Sequence, residues 1–333
     1  MRTKFKKLTS LCIVVIMILN VLTVAPLTAG ASETDSASVG DTYTSGDFEY
    51  TVLDDGTAEI SNYNGSEANL VIPNIIGGYK VTSVGERAFN YKSIVESVTI
   101  PYGVNTIGDL AFNNCSDLKN VTIPDSVTYI GTDAFSSSEN LESITIPKGV
   151  EKIQSRTFWG CSGLKSVIIS KGVKSIDSMA FQSCTSLESV IIPDGLTSID
   201  FGAFGSCSSL KTITIPASVT YISSLSMGYN DYFMKVDGFT IEGYRGTAAE
   251  AYAIENGFEF IELGDIPTPS LGDVNGDGKV SIDDVTDIQK YIANTMDFTE
   301  DQMVLADVDK DGKVAIDDVT LIQKHLAGMA VIE

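Results

Sequence analysis

Two acidic stretches near the C-terminus carry the clearest chemistry in the chain. The first holds Asp273, Asn275, Asp277, Gly278, Lys279, Ser281 and Asp284, and the second, a near-copy further on, holds Asp307, Asp309, Asp311, Gly312, Lys313, Ala315 and Asp318. Oxygen-bearing side chains stand at the first, third, fifth and twelfth places of each loop. Glycine stands sixth, where the chain must turn sharply, and Lys279 or Lys313 offers a main-chain carbonyl at the seventh. Hard oxygens gathered on a bent loop suit Ca²⁺, which takes about six to eight of them. The pattern predicts two ions, one on Asp273, Asn275, Asp277, Lys279, Ser281 and Asp284, the other on Asp307, Asp309, Asp311, Lys313 and Asp318. At the ninth place Ser281 faces Ala315 in the second copy, so water substitutes there. The bland alternative is an acidic, solvated tail, which the filling of every required place in both copies argues against.

Each loop must be followed by an element that delivers its twelfth residue. Residues 282–290 and 316–324 agree at eight of nine positions and carry helical spacing. One stripe, Val285, Ile288 and Ile292 or Val319, Ile322 and Leu326, is predicted to bury against the other helix. A neighbouring stripe holds Ile282, Thr286, Gln289 and Lys290, or Ile316, Thr320, Gln323 and Lys324. Ile282 and Ile316 read either as exposed anchors or as core residues. This segment, 272–333, has 14 acids and 5 bases. A core that thin needs a staple such as a metal.

The rest of the chain is dominated by a 23-residue repeat. Phe89, Phe112, Phe135, Phe158, Phe181 and Phe204 keep that step, as do Val98, Val121, Ile144, Val167, Val190, Ile213 and Val236. Val121 and Ile123 point one way and Thr122 the other, as in a strand. No unit holds enough apolar area to fold alone, so units must stack into a quasi-one-dimensional core. Proline after the inner isoleucine (Pro101, Pro124, Pro147, Pro193 and Pro216, with Ser170 as the one exception) lacks an N–H and ends the strand. Cys115, Cys161, Cys184 and Cys207 share one column with Ser138, and parallel Cβ vectors there make poor disulfide geometry; buried free thiols are expected, with bridging or metal binding as the alternatives. The exposed strand column Thr99, Thr122, Thr145, Ile168, Ile191, Thr214 reads as strand stabilisation or as a ligand-binding face. Trp159, in a column otherwise filled by Asn113, Ser136, Gln182 and Gly205, reads as local packing or as a stacking platform. The units show scattered acids and no distinctive insertion, so no catalytic constellation is predicted and the chain is read as not an enzyme.

The 333 residues include 22 basic and 44 acidic side chains. That balance argues against nucleic acid and anionic membrane surfaces as partners. The lone histidine, His325, excludes a histidine triad and a multi-histidine zinc site. Basic Lys4, Lys6 and Lys7 precede an apolar run over 8–24 and small residues at 29–31, the form of a secretory signal peptide, with an uncleaved anchor as the alternative. Removing the leader's four basic residues leaves 18 bases against 44 acids, or −26. The predicted organisation is a signal peptide over 1–31, an N-terminal segment and cap over 32–80, repeats over 81–222, a C-terminal cap over 223–263, a linker over 264–271 and the acidic module over 272–333.

The 23-residue unit resembles the BspA-type bacterial leucine-rich repeats, over about residues 70–263. The paired loops, with aspartate at the twelfth place and no helix before the first loop, are similar to type I dockerins, whose loops are of EF-hand type. The two resemblances imply a mainly β solenoid of leucine-rich repeats followed by a small all-α, EF-hand-like, calcium-binding dockerin. They imply as partner the cohesin domain of a scaffoldin in a cellulosome or amylosome, contacted by Ile282, Asp283, Thr286, Gln289, Lys290, Ile316, Asp317, Thr320, Gln323 and Lys324. A secreted protein, held by a cohesin scaffold, follows, with an unknown protein or glycan ligand for the repeats. The alternatives are a cell-surface adhesin or host-interaction protein and, third, a component with glycoside hydrolase activity.

Overall fold

The computed structural model describes residues 38–266, 270–276 and 278–332. The leader and Asp277 fall outside the described residues. Among the described residues no helix is long and apolar enough to cross a membrane.

Each 23-residue unit forms one turn of a coil with two short strands. The wider ladder runs through Asn69–Val71, Ser97–Thr99, Asn120–Thr122, Ser143–Ile146, Ser166–Ile169, Ser189–Ile191, Thr212–Thr214, Thr240–Gly243 and Glu259–Glu262, and its strands pair in parallel. The narrower ladder uses two-residue strands such as Lys152–Ile153 and Ser175–Ile176. Partners stand one repeat apart, Ser143 on Ser166 and Ile168 on Ile191. The entry is an antiparallel sheet of Thr42–Ser45, Phe48–Val52 and Ala58–Tyr63, the last two joined through a turn that holds Asp55 and Gly56, a pair that favours hairpins.

Stacking in register places each side chain against the same position of the next turn. The six phenylalanines form a column with ring centroids 4.8–5.5 Å apart and planes within 7°. Every thiol of the cysteine column is buried and free. Each donates to the carbonyl of a phenylalanine one turn back: Cys115 to Phe89 at 3.1 Å, Cys161 to Phe135 at 3.1 Å, Cys184 to Phe158 at 3.3 Å and Cys207 to Phe181 at 3.1 Å. Ser138 makes the same bond to Phe112 at 3.0 Å, which explains why it substitutes there. Burial pushes the Cys115, Cys161 and Cys207 thiols up to about 12. On the surface, Glu96, Lys119, Glu142, Lys165, Glu188 and Lys211 form one column of alternating sign, with Lys119 2.8 Å from Glu96 and Lys165 3.8 Å from Glu142. Like charges at this spacing would repel.

The bends demand left-handed backbone twice per turn. One such column is Arg87, Leu110, Asp133, Arg156, Met179, Gly202 and Leu225, and the other is Tyr91, Asn114, Ser137, Gly160, Ser183 and Ser206. Most of these are not glycine, so the columns leave no composition signal. Turn-to-turn hydrogen bonds hold them, as in Leu110 N–H to Thr132 O at 2.9 Å and Asn114 N–H to Ser136 O at 2.8 Å.

Two expectations change. Met227, buried and bridged to Phe204, continues the phenylalanine column. After it the step lengthens: Ile213 pairs with Ile241 and not with Val236. The last full turn therefore carries a five-residue insertion that the intact spacing to Val236 conceals. Helix α1 (Ala248–Asn256) then closes the coil, ending at Gly257 in left-handed conformation.

Removing one ring from the middle of the stack leaves a cavity with rigid walls. Phe158→Ala is expected to cost about 3–5 kcal/mol, read by denaturant unfolding, whereas Cys161→Ser should cost far less because serine already fills that site at residue 138. Protonated, buried thiols should resist iodoacetamide in the native state. Cys115, Cys161, Cys184 and Cys207 should all react after unfolding, read by mass spectrometry.

Candidate metal centre in the C-terminal module

The module contains α2 (Ile282–Ile292), α3 (Glu300–Ala306) and α4 (Ile316–Leu326). Its core is Val274, Val285, Ile288, Ala306, Val308, Val319 and Ile322. The predicted helix stripes are buried at their first two positions only. Ile292 and Leu326 sit in the final turns, before the caps at Ala293 and Ala327, and are 38% and 43% exposed. Ile282 and Ile316 are 60% and 59% exposed, which removes the core reading for both.

The twelfth-place carboxylates are the structural pivots. Asp284 and Asp318 are buried at the third position of α2 and α4. Asp284 accepts from the backbone N–H groups of Asn275 at 3.1 Å and Ser281 at 2.8 Å, and from the Ser281 hydroxyl at 3.1 Å. Asp318 accepts from the N–H groups of Val308 at 2.8 Å, Asp309 at 3.3 Å and Ala315 at 2.8 Å. Each thus ties the start of its loop to the start of its helix. The Ser281 hydroxyl also accepts from Asp283 N–H at 3.2 Å, so it serves the helix cap.

The other loop carboxylates converge in the same way. Asp273, fully buried, accepts from Gly278 N–H at 2.8 Å. Asp307 accepts from Asp311 N–H at 3.0 Å and Gly312 N–H at 2.9 Å. Asp311 accepts from Lys313 N–H at 2.9 Å. Gly278 and Gly312 have φ of 82° and 85°, the left-handed turn required at the sixth place. Ligand oxygens of Asp307, Asp309 and Asp311 lie within 4.8 Å of one another. Burial raises the Asp284 pKa against the pull of its N–H donors, and the charge of Asp273 adds to it. The Asp311 N–H lowers that of Asp309, but desolvation and the charges of Asp311, Asp318 and Asp307 raise it by more. An all-oxygen set crowded enough to oppose its own ionisation fits a hard dication.

The neighbouring stripe is open in both copies. Ile282, Asp283, Thr286, Gln289, Lys290, Ile316, Asp317, Thr320, Gln323 and Lys324 are all exposed. Their helices begin alike, with Ser281 at φ −142°, ψ −179° and Ala315 at φ −141°, ψ −177°. Thr286 and Thr320 each donate at 2.9 Å to the carbonyls of Ile282 and Ile316. Asp283 also pairs with Lys171 of the solenoid at 3.1 Å, and Lys290 with Asp287 at 2.7 Å.

Comparison with known proteins agrees with both halves of this description. Residues 43–164 and 133–231 match the BspA type leucine rich repeat region, in six copies, and residues 271–327 match the dockerin type I domain. A search of curated proteins finds no match. Among solved structures, the T. pallidum leucine-rich repeat protein is 23% identical with a TM-score of 0.50, over 68% of this chain and 100% of that one. A leucine-rich repeat protein from Bacteroides capillosus is 32% identical with a TM-score of 0.36, over 39% of this chain and 98% of that one. One from Eubacterium ventriosum is 26% identical with a TM-score of 0.47, over 57% of this chain and 54% of that one. The chain belongs to the BspA-type leucine-rich repeat family and carries a type I dockerin domain at its C-terminus.

Proposed function

We propose that this is a secreted, non-catalytic binding protein whose dockerin docks, in a calcium-dependent manner, onto a cohesin-bearing scaffoldin of a polysaccharide-degrading complex. The repeats then present a recognition surface for a protein or glycan ligand. Both modules are of interaction type, and a dockerin implies a cohesin partner. The observation that carries the reading is the duplicated exposed face: an isoleucine about 60% exposed begins each helix, with threonine, glutamine and lysine on the same side.

The residues present fit two Ca²⁺. Asp273, Asn275, Asp277, Ser281 and Asp284 would hold one, with the Lys279 carbonyl, and Asp307, Asp309, Asp311 and Asp318 would hold the other, with the Lys313 carbonyl. Bound Ca²⁺ supplies positive charge and multiple oxygen bonds that close each loop. Asp284 and Asp318 then fix where α2 and α4 begin, and so where Ile282 and Ile316 point. An aliphatic anchor with a polar rim can serve as the centre of a binding interface. Because the two faces match, the module docks through either helix, rotated by about half a turn.

Excess EGTA is expected to abolish the module's helical circular dichroism and its capture by an immobilised type I cohesin, with both restored by added calcium. Unchanged spectra and capture in EGTA contradict the proposal. Ile282→Asp and Ile316→Asp should each leave cohesin binding largely intact. The double variant should lose it by at least about thirtyfold, the scale of about 2 kcal/mol at a hot spot; surface plasmon resonance reads the difference.

A further inference from the structure

The five-residue insertion in the last full turn folds into a feature of its own. Tyr229 and Lys235 bridge antiparallel, making a small hairpin. Asn230 stiffens it by accepting from Tyr232 N–H at 3.0 Å and Met234 N–H at 2.9 Å. Asp231 ties the hairpin back to the solenoid, accepting from the Ser206 hydroxyl and from that of Ser183 at 3.4 Å. A cleft of about 110 Å³ opens beneath it, walled by Phe201, Tyr229 and Phe233, with Gln182, Ser206, Asn230 and Asp231 as polar groups. Gly205 keeps its floor low: a Cβ there would stand 3.2 Å from the Gly202 carbonyl oxygen.

We propose that this cleft receives an arginine side chain of a partner protein. The proposal deepens, and rests on, the recognition role given above to the solenoid. The cleft's size suits a single side chain. Its one charge is the Asp231 carboxylate, and no cation lines it. Among the described residues no lysine or arginine pairs with Asp231. Lys235, the cation of the insertion, turns away, with its Nζ 5.5 Å from the Phe258 ring centroid and 3.3 Å from the Gly257 carbonyl oxygen. Three aromatic walls beside a carboxylate suit a planar guanidinium, which stacks on rings and donates in parallel to carboxylate oxygens. A chain of net charge −22 draws basic partners from a distance. Phe233, which lines the cleft, and its chain neighbours Tyr232 and Met234 are 66%, 84% and 63% exposed, the residue types that favour protein interfaces. Trp159 is 39% exposed two turns away in the column of Gln182 and Gly205. An uncharged sugar would leave the carboxylate's charge unused.

The test is a titration of the isotope-labelled full chain by NMR with N-acetyl-arginine-N-methylamide, its neutral isostere N-acetyl-citrulline-N-methylamide, the lysine analogue and a cello-oligosaccharide. The arginine probe should shift the amides of Gly205, Ser206 and Asn230 saturably and bind roughly tenfold more tightly than citrulline, the scale of one charge-assisted hydrogen bond. Phe233→Ala, a largely exposed position whose loss spares the fold, and Asp231→Asn should each weaken it by a similar factor. Equal response to arginine and citrulline, or none to either, overturns the proposal, as does a response at these amides to the sugar alone. Intact cohesin capture alongside such a failure removes the cleft's role without touching that of the dockerin.

Discussion

Each repeat unit has an apolar side and nothing of its own to cover it, so every turn of this solenoid must be covered by a copy of itself about 5 Å away. That constraint selects side chains by whether they tolerate their own image. Phenylalanine does, as a stack with planes within 7°. A thiol does when it has a carbonyl to donate to, which is why the cysteines hydrogen-bond along the axis and do not pair with each other. A charge gains from an opposite neighbour, and the surface column from Glu96 to Lys211 alternates sign at every turn.

The C-terminal module obeys the opposite logic. Its loops gather like charges, Asp307, Asp309 and Asp311 within 4.8 Å, and bury Asp273, Asp284 and Asp318. Backbone N–H donors supply part of the compensation, but they leave the charge itself in place, and a chain with so small a core has little apolar burial to offset it. On the proposed reading a divalent cation would resolve this, at the residues that begin α2 and α4. Metal binding, folding and display of the two isoleucine faces are thereby one event in the proposed mechanism.

The columns of the solenoid and the ligand places of the loops are legible in the residues because both rest on fixed spacing. The 23-residue step locates the strands, the N-terminal hairpin and α1 carry their own turn and capping signals, and Ser138 among the cysteines already points to a shared duty. What spacing hides is equally physical. Val236 falls on the apolar step by coincidence, so the insertion before Ile241 is invisible until strands pair. The left-handed positions leave no mark because Arg87, Leu110 and Met179 are held there by bonds between turns. Ile292 and Leu326 follow the helical period yet lie past the end of the packed contact, which period alone does not show.

The central claim is that the paired aspartate loops bind calcium and thereby form the docking module. Isothermal titration of the full chain with Ca²⁺ tests it most directly. The account predicts uptake of two ions, falling to one when Asp307 and Asp309 are both replaced by alanine; heats no greater than dilution for the unaltered chain would contradict it.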